Sequence, residues 1–145
     1  MWVEIIDKYP IINVVFNDCK QSDEEFNKIF EKWEDMYNEK KDFIFIIDTS
    51  KISSLKLSYA YNMAKFIKKM KKEHEYHYLK KTMIVMNNNF ILNIIKILLS
   101  LTTPISEMYL IKSNENNINF VKSIKSFDDF EIVKNHFKDD IKVVS

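Results

Sequence analysis

The sequence predicts an α/β domain with helices packed on a small, mixed, mostly parallel sheet that opens with an N-terminal hairpin. Three observations predict it. Phe43-Ile44-Phe45-Ile46-Ile47, ending in Asp48, is apolar at every position, as a strand covered on both faces must be. Short apolar runs alternate with helical stripes of ten or more residues, which implies crossovers between parallel strands. With 145 residues, 46% of them hydrophobic, the chain can bury one core but not two comfortable ones, so 1–145 is read as a single domain.

The elements follow in order. Val3 to Ile6 and Ile11 to Phe16 are β-rich runs joined by Asp7-Lys8-Tyr9-Pro10, a turn-forming stretch that makes a hairpin. Ser22-Asp23-Glu24-Glu25 matches a capping box, with Ser22 accepting from the free amides and Glu25 reaching back to the cap. The helix it starts carries Phe26, Ile29, Phe30, Trp33, Met36 and Tyr37 at steps of three and four. Phe43 to Asp48 is the central strand. From Leu57 to Lys72 a second stripe runs through Tyr59, Ala60, Met63, Ala64, Phe66, Ile67 and Met70. Thr82 to Met86 is the next strand, interrupted by Asn87-Asn88-Asn89 before a helix from Phe90 to Leu101, and Pro104 closes that region. Met108 to Ile111 is the last clear strand. Ser113 is placed to cap a weak helical pattern through Ile118, Val121 and Ile124, and the tail 125–145 reads as one extra helix centred on Phe127 to Phe137.

Composition excludes several functions. The 22 basic and 21 acidic residues nearly cancel, so no whole-molecule attraction to nucleic acid exists and no nucleic-acid partner is expected. Every basic residue is lysine, and asparagine and isoleucine abound, a pattern that points to an AT-rich genome. The chain has no glycine, which removes the Walker A loop, the dinucleotide fingerprint and the kinase loop together, because each needs glycine for close backbone approach to phosphate. Cys19 stands alone, so no disulfide framework or cysteine zinc cluster can form within the chain, and a reducing, cytoplasmic compartment is expected. The N-terminus does not read as a signal peptide. Phe90 to Leu101, the longest apolar region, is broken by Asn93 and Lys96 and is far short of a membrane span.

The run Phe43 to Asp48, with Thr49-Ser50-Lys51-Ile52-Ser53 and a striped helix after it, resembles STAS domains and the related SpoIIAA-like proteins. The likeness covers roughly Glu4 to Ile124 and lies in element order and hydrophobic pattern. It implies an interaction or regulatory module. The stretch Lys81 to Asn87 leading into Phe90 to Lys96 is also similar to the C-terminal part of CRAL-TRIO lipid-binding domains, which use the matching helix as a gate over a lipid cavity. In anti-sigma-factor antagonists of the STAS group, a serine at the start of the helix after the central strand is phosphorylated. Lys56-Leu57-Ser58-Tyr59 stands there in this chain, and Leu57 cannot accept phosphate, so the switch is not carried over.

Candidate chemistry is sparse. His74-Glu75-Tyr76-His77 lacks the second histidine four residues after the first that a zinc-protease helix needs, and no metal or cofactor is expected. Cys19 sits in a loop with no evident base. Ligands of open α/β sheets collect beyond the C-terminal strand ends, which here supply Asp48, Thr49 and Ser50, then Asn87, Asn88 and Asn89, then Lys112 and Ser113. The same residues are also those expected to cap helices and close turns. The helix Phe90 to Leu101 has a polar stripe of only Asn93, Lys96 and Ser100. Phe90, Ile91, Ile94, Ile95, Leu98 and Leu101 are therefore candidates for contact with a partner or a lipid, or for burial within the chain. Lys65, Lys68, Lys69 and Lys72, with Lys71, Lys80 and Lys81 nearby, form a basic patch that could approach an anionic membrane from outside. These readings lead to a non-enzymatic STAS-like module that binds a protein partner or a second copy of itself. A CRAL-TRIO-like lipid-binding or membrane-peripheral domain is the alternative, and an enzyme ranks third because no set of acid, base, nucleophile and oxyanion donors can be assembled.

Overall fold

A computed structural model of the chain describes residues 1–137 and 141–144. Six strands form one sheet in the order of the sequence: β1 (Val3–Lys8), β2 (Ile11–Phe16), β3 (Phe43–Asp48), β4 (Leu79–Met86), β5 (Met108–Lys112) and β6 (Ile141–Val144). β2 to β5 are mutually parallel, whereas β1 and β6 run antiparallel at the two edges. The expected hairpin closes through a cis Tyr9–Pro10 bond, and the Tyr9 amide donates to Asp7 Oδ1 at 3.0 Å.

Three crossover helices connect the parallel strands: α1 (Asp23–Asn38), α2 (Leu57–Glu73) and α3 (Asn89–Leu101). All three bury their stripes in one cluster, against Val3, Ile12, Val14, Phe43, Phe45, Ile84 and Leu110. The alternate strand residues Ile11, Ile44, Ile46, Met83, Val85, Tyr109 and Ile111 face the opposite side. There they meet α4 (Glu115–Lys122) and α5 (Phe127–His136), through Val121, Ile124, Phe130 and Val133. β3 therefore does have apolar cover on both faces, as its unbroken run predicts.

Rings dominate the α1–α3 side. Trp2 is fully buried with its ring 5.2 Å from both Phe16 and Tyr59, and Phe26, Phe30, Trp33 and Phe66 continue the cluster. Aromatic side chains bury large areas with few rotatable bonds, so these contacts supply much of the attraction between helices and sheet. Tyr59 also donates its hydroxyl to Asp23 Oδ1 at 2.7 Å, joining α2 to the start of α1. Burial, and then that carboxylate, push its pKa up to about 12.

Several local expectations are corrected. Ser22 caps α1 as expected, accepting from the Glu25 amide at 3.2 Å. Glu25, however, does not reach back to the cap. Its Oε1 accepts from the amides of Trp2 at 2.8 Å and Val3 at 3.2 Å, so it ties α1 to the first strand. β4 begins at Leu79 rather than Thr82, because the ammonium of Lys81 bonds to Glu107 and Tyr109 at the rim and lets the lysine join the strand. α4 is capped by Asn114, not Ser113, with Asn114 Oδ1 accepting from the Asn117 amide at 2.9 Å. The final helix expected over Phe127 to Phe137 forms as α5 and ends at His136, whereas Ile141–Val144, read as part of the same tail helix, is a strand paired with β5. Residues 138–140 and 145 of that expected helix lie outside the described residues.

With no glycine available, Lys40 takes the left-handed conformation that ends α1, at φ 55°. Its amide donates to Tyr37 at 3.1 Å and the Lys41 amide to Met36 at 3.2 Å, the bond pair that satisfies the last carbonyls of a helix.

Because Glu25 serves two amides of another element, Glu25→Ala should cost about 2–3 kcal/mol of unfolding free energy, through two donors left without an acceptor. Ser22→Ala should cost only about 1 kcal/mol, the ordinary value of an N-cap. Urea denaturation of the two variants measures the difference, and equal costs would contradict the tie.

Candidate functional site

The strand ends do come together, but most of their polar groups are engaged with one another. Thr49 is buried, and its amide and Oγ1 both donate to the Val85 carbonyl, at 2.8 and 2.7 Å. Asp48 Oδ1 accepts from the Ser50 amide at 2.9 Å, and the Asn87 side chain donates to the Ser50 carbonyl. Asn88 caps α3 by accepting from the Ile91 amide at 3.0 Å. Its Nδ2 donates to Asn87 Oδ1 at 2.7 Å and to the Ile52 carbonyl at 3.4 Å. Asn89 is the first residue of α3 and is exposed. The Ser113 amide donates to Met86, and the Lys112 carbonyl accepts from the buried Asn117 side chain at 2.8 Å. These residues form a clasp that joins the ends of β3, β4 and β5 and starts α3.

α3 turns inward. Ile91, Ile94, Ile95 and Leu98 are buried, Leu101 is half-buried, and Phe90 stays exposed at the first turn. Asn93, Lys96 and Ser100 form the solvent face, so the narrow polar stripe read from the sequence is the outer surface of the helix. The wide apolar remainder is covered by the chain itself, because α3 lies against both the sheet and α2.

That packing is incomplete. Between α1, α2, α3 and the sheet lies a cavity of about 110 Å³. Ile91, Ile94, Ile95 and Leu98 wall it from α3, and Trp33, Phe45, Leu55, Met63 and Ile67 line it elsewhere, with Thr49 and Thr82 as its polar residues. Apart from those two threonines its walls are hydrocarbon, so it suits a small apolar molecule better than water. Sequence periodicity identified the inward stripes, but the volume left between them depends on side-chain shape, which no spacing pattern encodes.

How α3 is held bears on access to the cavity. Among the described residues, none of its side chains forms a hydrogen bond or ion pair with another element; Ser100 Oγ donates within the helix, to Ile97 at 2.6 Å. Polar contacts pin only its ends, through Asn88 at the start and, beyond the finish, through the Lys71 ammonium on the Thr103 carbonyl and hydroxyl. Burial holds the Lys71 pKa below the usual lysine value.

In the basic patch, Lys65, Lys68, Lys69 and Lys72 are all exposed, and Lys69 pairs with Glu34 at 2.9 Å. Lys80 lies 3.9 Å from the Tyr76 ring centroid, and Lys81 pairs with Glu107 at 3.3 Å. Cys19 is an exposed thiol. Among the described residues, no group of three or more histidine, cysteine or acidic side chains could hold a metal, and no helix is long and apolar enough to cross a membrane. His77 Nδ1 lies 2.9 Å from the Tyr37 hydroxyl, and the His74 ring packs edge-on against Tyr37 at 4.9 Å. The histidine pair thus belongs to the aromatic end of the core. No protein-family profile, curated protein or solved structure matches this chain.

Burial, with the nearby charges of His74, Lys71 and Lys80, holds the His77 pKa below its ordinary 6.5. The folded state therefore resists a proton that the unfolded chain accepts. The stability this contributes is complete above the unfolded value of about 6.5 and is lost as pH falls through the lower folded value. Urea midpoints measured between neutral pH and about pH 5 should fall for the wild type, and less steeply for His77→Gln; parallel slopes would exclude His77 as the source.

Proposed function

We propose that this chain is a non-enzymatic binding domain that takes a small apolar ligand, or the end of an acyl chain, in the cavity beneath α3. The observation that carries the reading is a hydrocarbon-lined void closed by a helix whose side chains hold to the rest by apolar contact alone. Such contact is non-directional, so a ligand of the same character can replace it as the helix moves outward, without breaking hydrogen bonds. The pinned ends of α3 restrict that movement to its middle. The reading agrees with the resemblance to CRAL-TRIO domains, in which the similar helix gates a lipid cavity. The volume of about 110 Å³ suits a benzene-sized group, so a longer chain requires displacement of α3.

Docking of a protein partner or a second copy, in the manner of STAS domains, is favoured by a different observation. Leu57, Tyr61 and Phe90, large apolar side chains at the N-terminal ends of α2 and α3, are exposed. The buried residues of α3 are not available to such a partner.

Benzene and 1-hexanol should raise the unfolding free energy, by about 2.7 kcal/mol when the probe is at 100 times its Kd. Ile95→Trp should fill the cavity and remove that response while retaining the native circular dichroism. Decanol should lower the hydrogen-exchange protection of α3 amides. If neither small probe stabilises the wild type, or if Ile95→Trp responds as the wild type does, the cavity is not a ligand site.

A further inference from the structure

A second concavity, of about 310 Å³, lies on the opposite face of the sheet. α4 and α5 cover that face over β3 to β5, where Ile44, Met83, Tyr109 and Ile111 are buried, but they leave the hairpin side partly open. Ile6, Val15 and Asp48 are consequently only half-buried. Ile6, Val15 and Ile46 make a floor that is apolar except for Asn13, which pairs in register between Ile6 and Ile46, and Lys8, Lys122 and Lys125 stand around it with Asp48.

An open sheet face with alternating polar residues is ordinarily just solvated. Two features set this one apart. First, its charge is unbalanced: three ammonium groups meet one carboxylate in a chain whose net charge is only +1. Among the described residues six lysines pair with acids, as Lys32 does with Asp7, Lys69 with Glu34 and Lys134 with Glu131, and the others do not. Among the described residues, Lys8, Lys122 and Lys125 form no such pair. Second, the charge is spread along a largely apolar track that Asn13 interrupts. Lys8 pairs in register with Ile11 and Ile11 with Ile44, so Lys8 is level with Ile44, four residues before Asp48. At the rise of a strand, that separates Lys8 from the carboxylate by about 13 Å along the strand direction.

We infer that this groove binds an amphipathic carboxylate, its hydrocarbon body lying over Ile6, Val15 and Ile46 and its anionic head among the unpaired lysines. The head sits away from Asp48, which would repel it. The site is independent of the cavity under α3, since it lies on the other face of the sheet.

Decanoate, decanol and decyltrimethylammonium, with chains of equal length and heads of different charge, test the assignment by calorimetry and by methyl chemical shifts of the full chain. Decanoate should bind, moving the Ile6, Val15 and Ile46 resonances, and should weaken with added salt; decyltrimethylammonium should not bind there. Lys8→Glu and Lys125→Glu, both on the surface, should each weaken decanoate by about tenfold, as expected on losing a charge-assisted contact. Val15→Trp should block decanoate yet keep the stabilisation by benzene, which reports on the cavity. Three results would overturn the proposal: the cationic amphiphile binding the groove as well as decanoate, decanoate shifting only Ile94 and Ile95, or the lysine variants leaving its affinity unchanged.

Discussion

Each crossover between the parallel strands advances the sheet by one strand in the same direction, and right-handed crossovers made that way must lay their helices on the same face. α1, α2 and α3 are stacked on one side for this reason, and the rest of the molecule is shaped by their crowding there. Three helices laid side by side leave the middle of the sheet covered by their lower surfaces alone. The opposite face receives only the segments after β5. An uneven distribution of cover is thus built into the strand order, before any side chain is considered.

On the crowded face the helices are separated from the sheet by rings, and rings fill space in coarse units. Trp33 meets Phe45 edge-on at 5.3 Å and Phe66 at 5.1 Å, while Phe30 stacks on Phe66 at 4.5 Å. This holds α1 and α2 firmly together. α3 contributes isoleucine and leucine and no buried ring, and the cavity lies where its branched side chains face the aromatic wall. A void forfeits the dispersion contacts of the atoms that line it, so retaining one lowers stability relative to a fully packed core. The chain offsets this with links at the margins of the layer. Glu25 fastens α1 to β1, Tyr59 fastens α2 to α1, and the asparagine clasp fastens the strand ends.

Features set by local periodicity were legible in the sequence. The stripe from Phe26 to Tyr37, the double-sided run of β3 and the inward positions of α2 each repeat with the period of their element, and Ser22 stands directly before the helix it caps. Features that depend on distant residues were not. Nothing near Glu25 indicates that it accepts from the amides of Trp2 and Val3, and the capping-box pattern supplied a nearer but wrong donor. Lys80 and Lys81 obscured the start of β4, because a lysine looks polar whether or not its stem is covered. β6 is four residues with a lysine inside it and has no visible pattern until β5 offers an edge. Among the site residues, the adjacency of Asp48, Thr49, Ser50 and the asparagines could be read from topology, but their mutual bonding could not. The all-round apolar character of α3 was plain, whereas its direction required knowing that α2 and the sheet both lie against it.

The alternation of β3 joins the two concavities and also keeps them apart. Phe45 and Ile47 point into the cavity, whereas Ile46 and Asp48 point into the groove, and in β4 Ile84 and Val85 divide in the same way. Adjacent residues thus serve opposite faces, and no side chain lines both spaces. A change at one of these positions alters one site directly and reaches the other only by moving backbone. In β3 that backbone is hydrogen-bonded to a parallel neighbour on each side, which restrains it from moving. The strand therefore acts as a partition, and independent occupancy of its two faces follows from the period-two geometry of an extended chain.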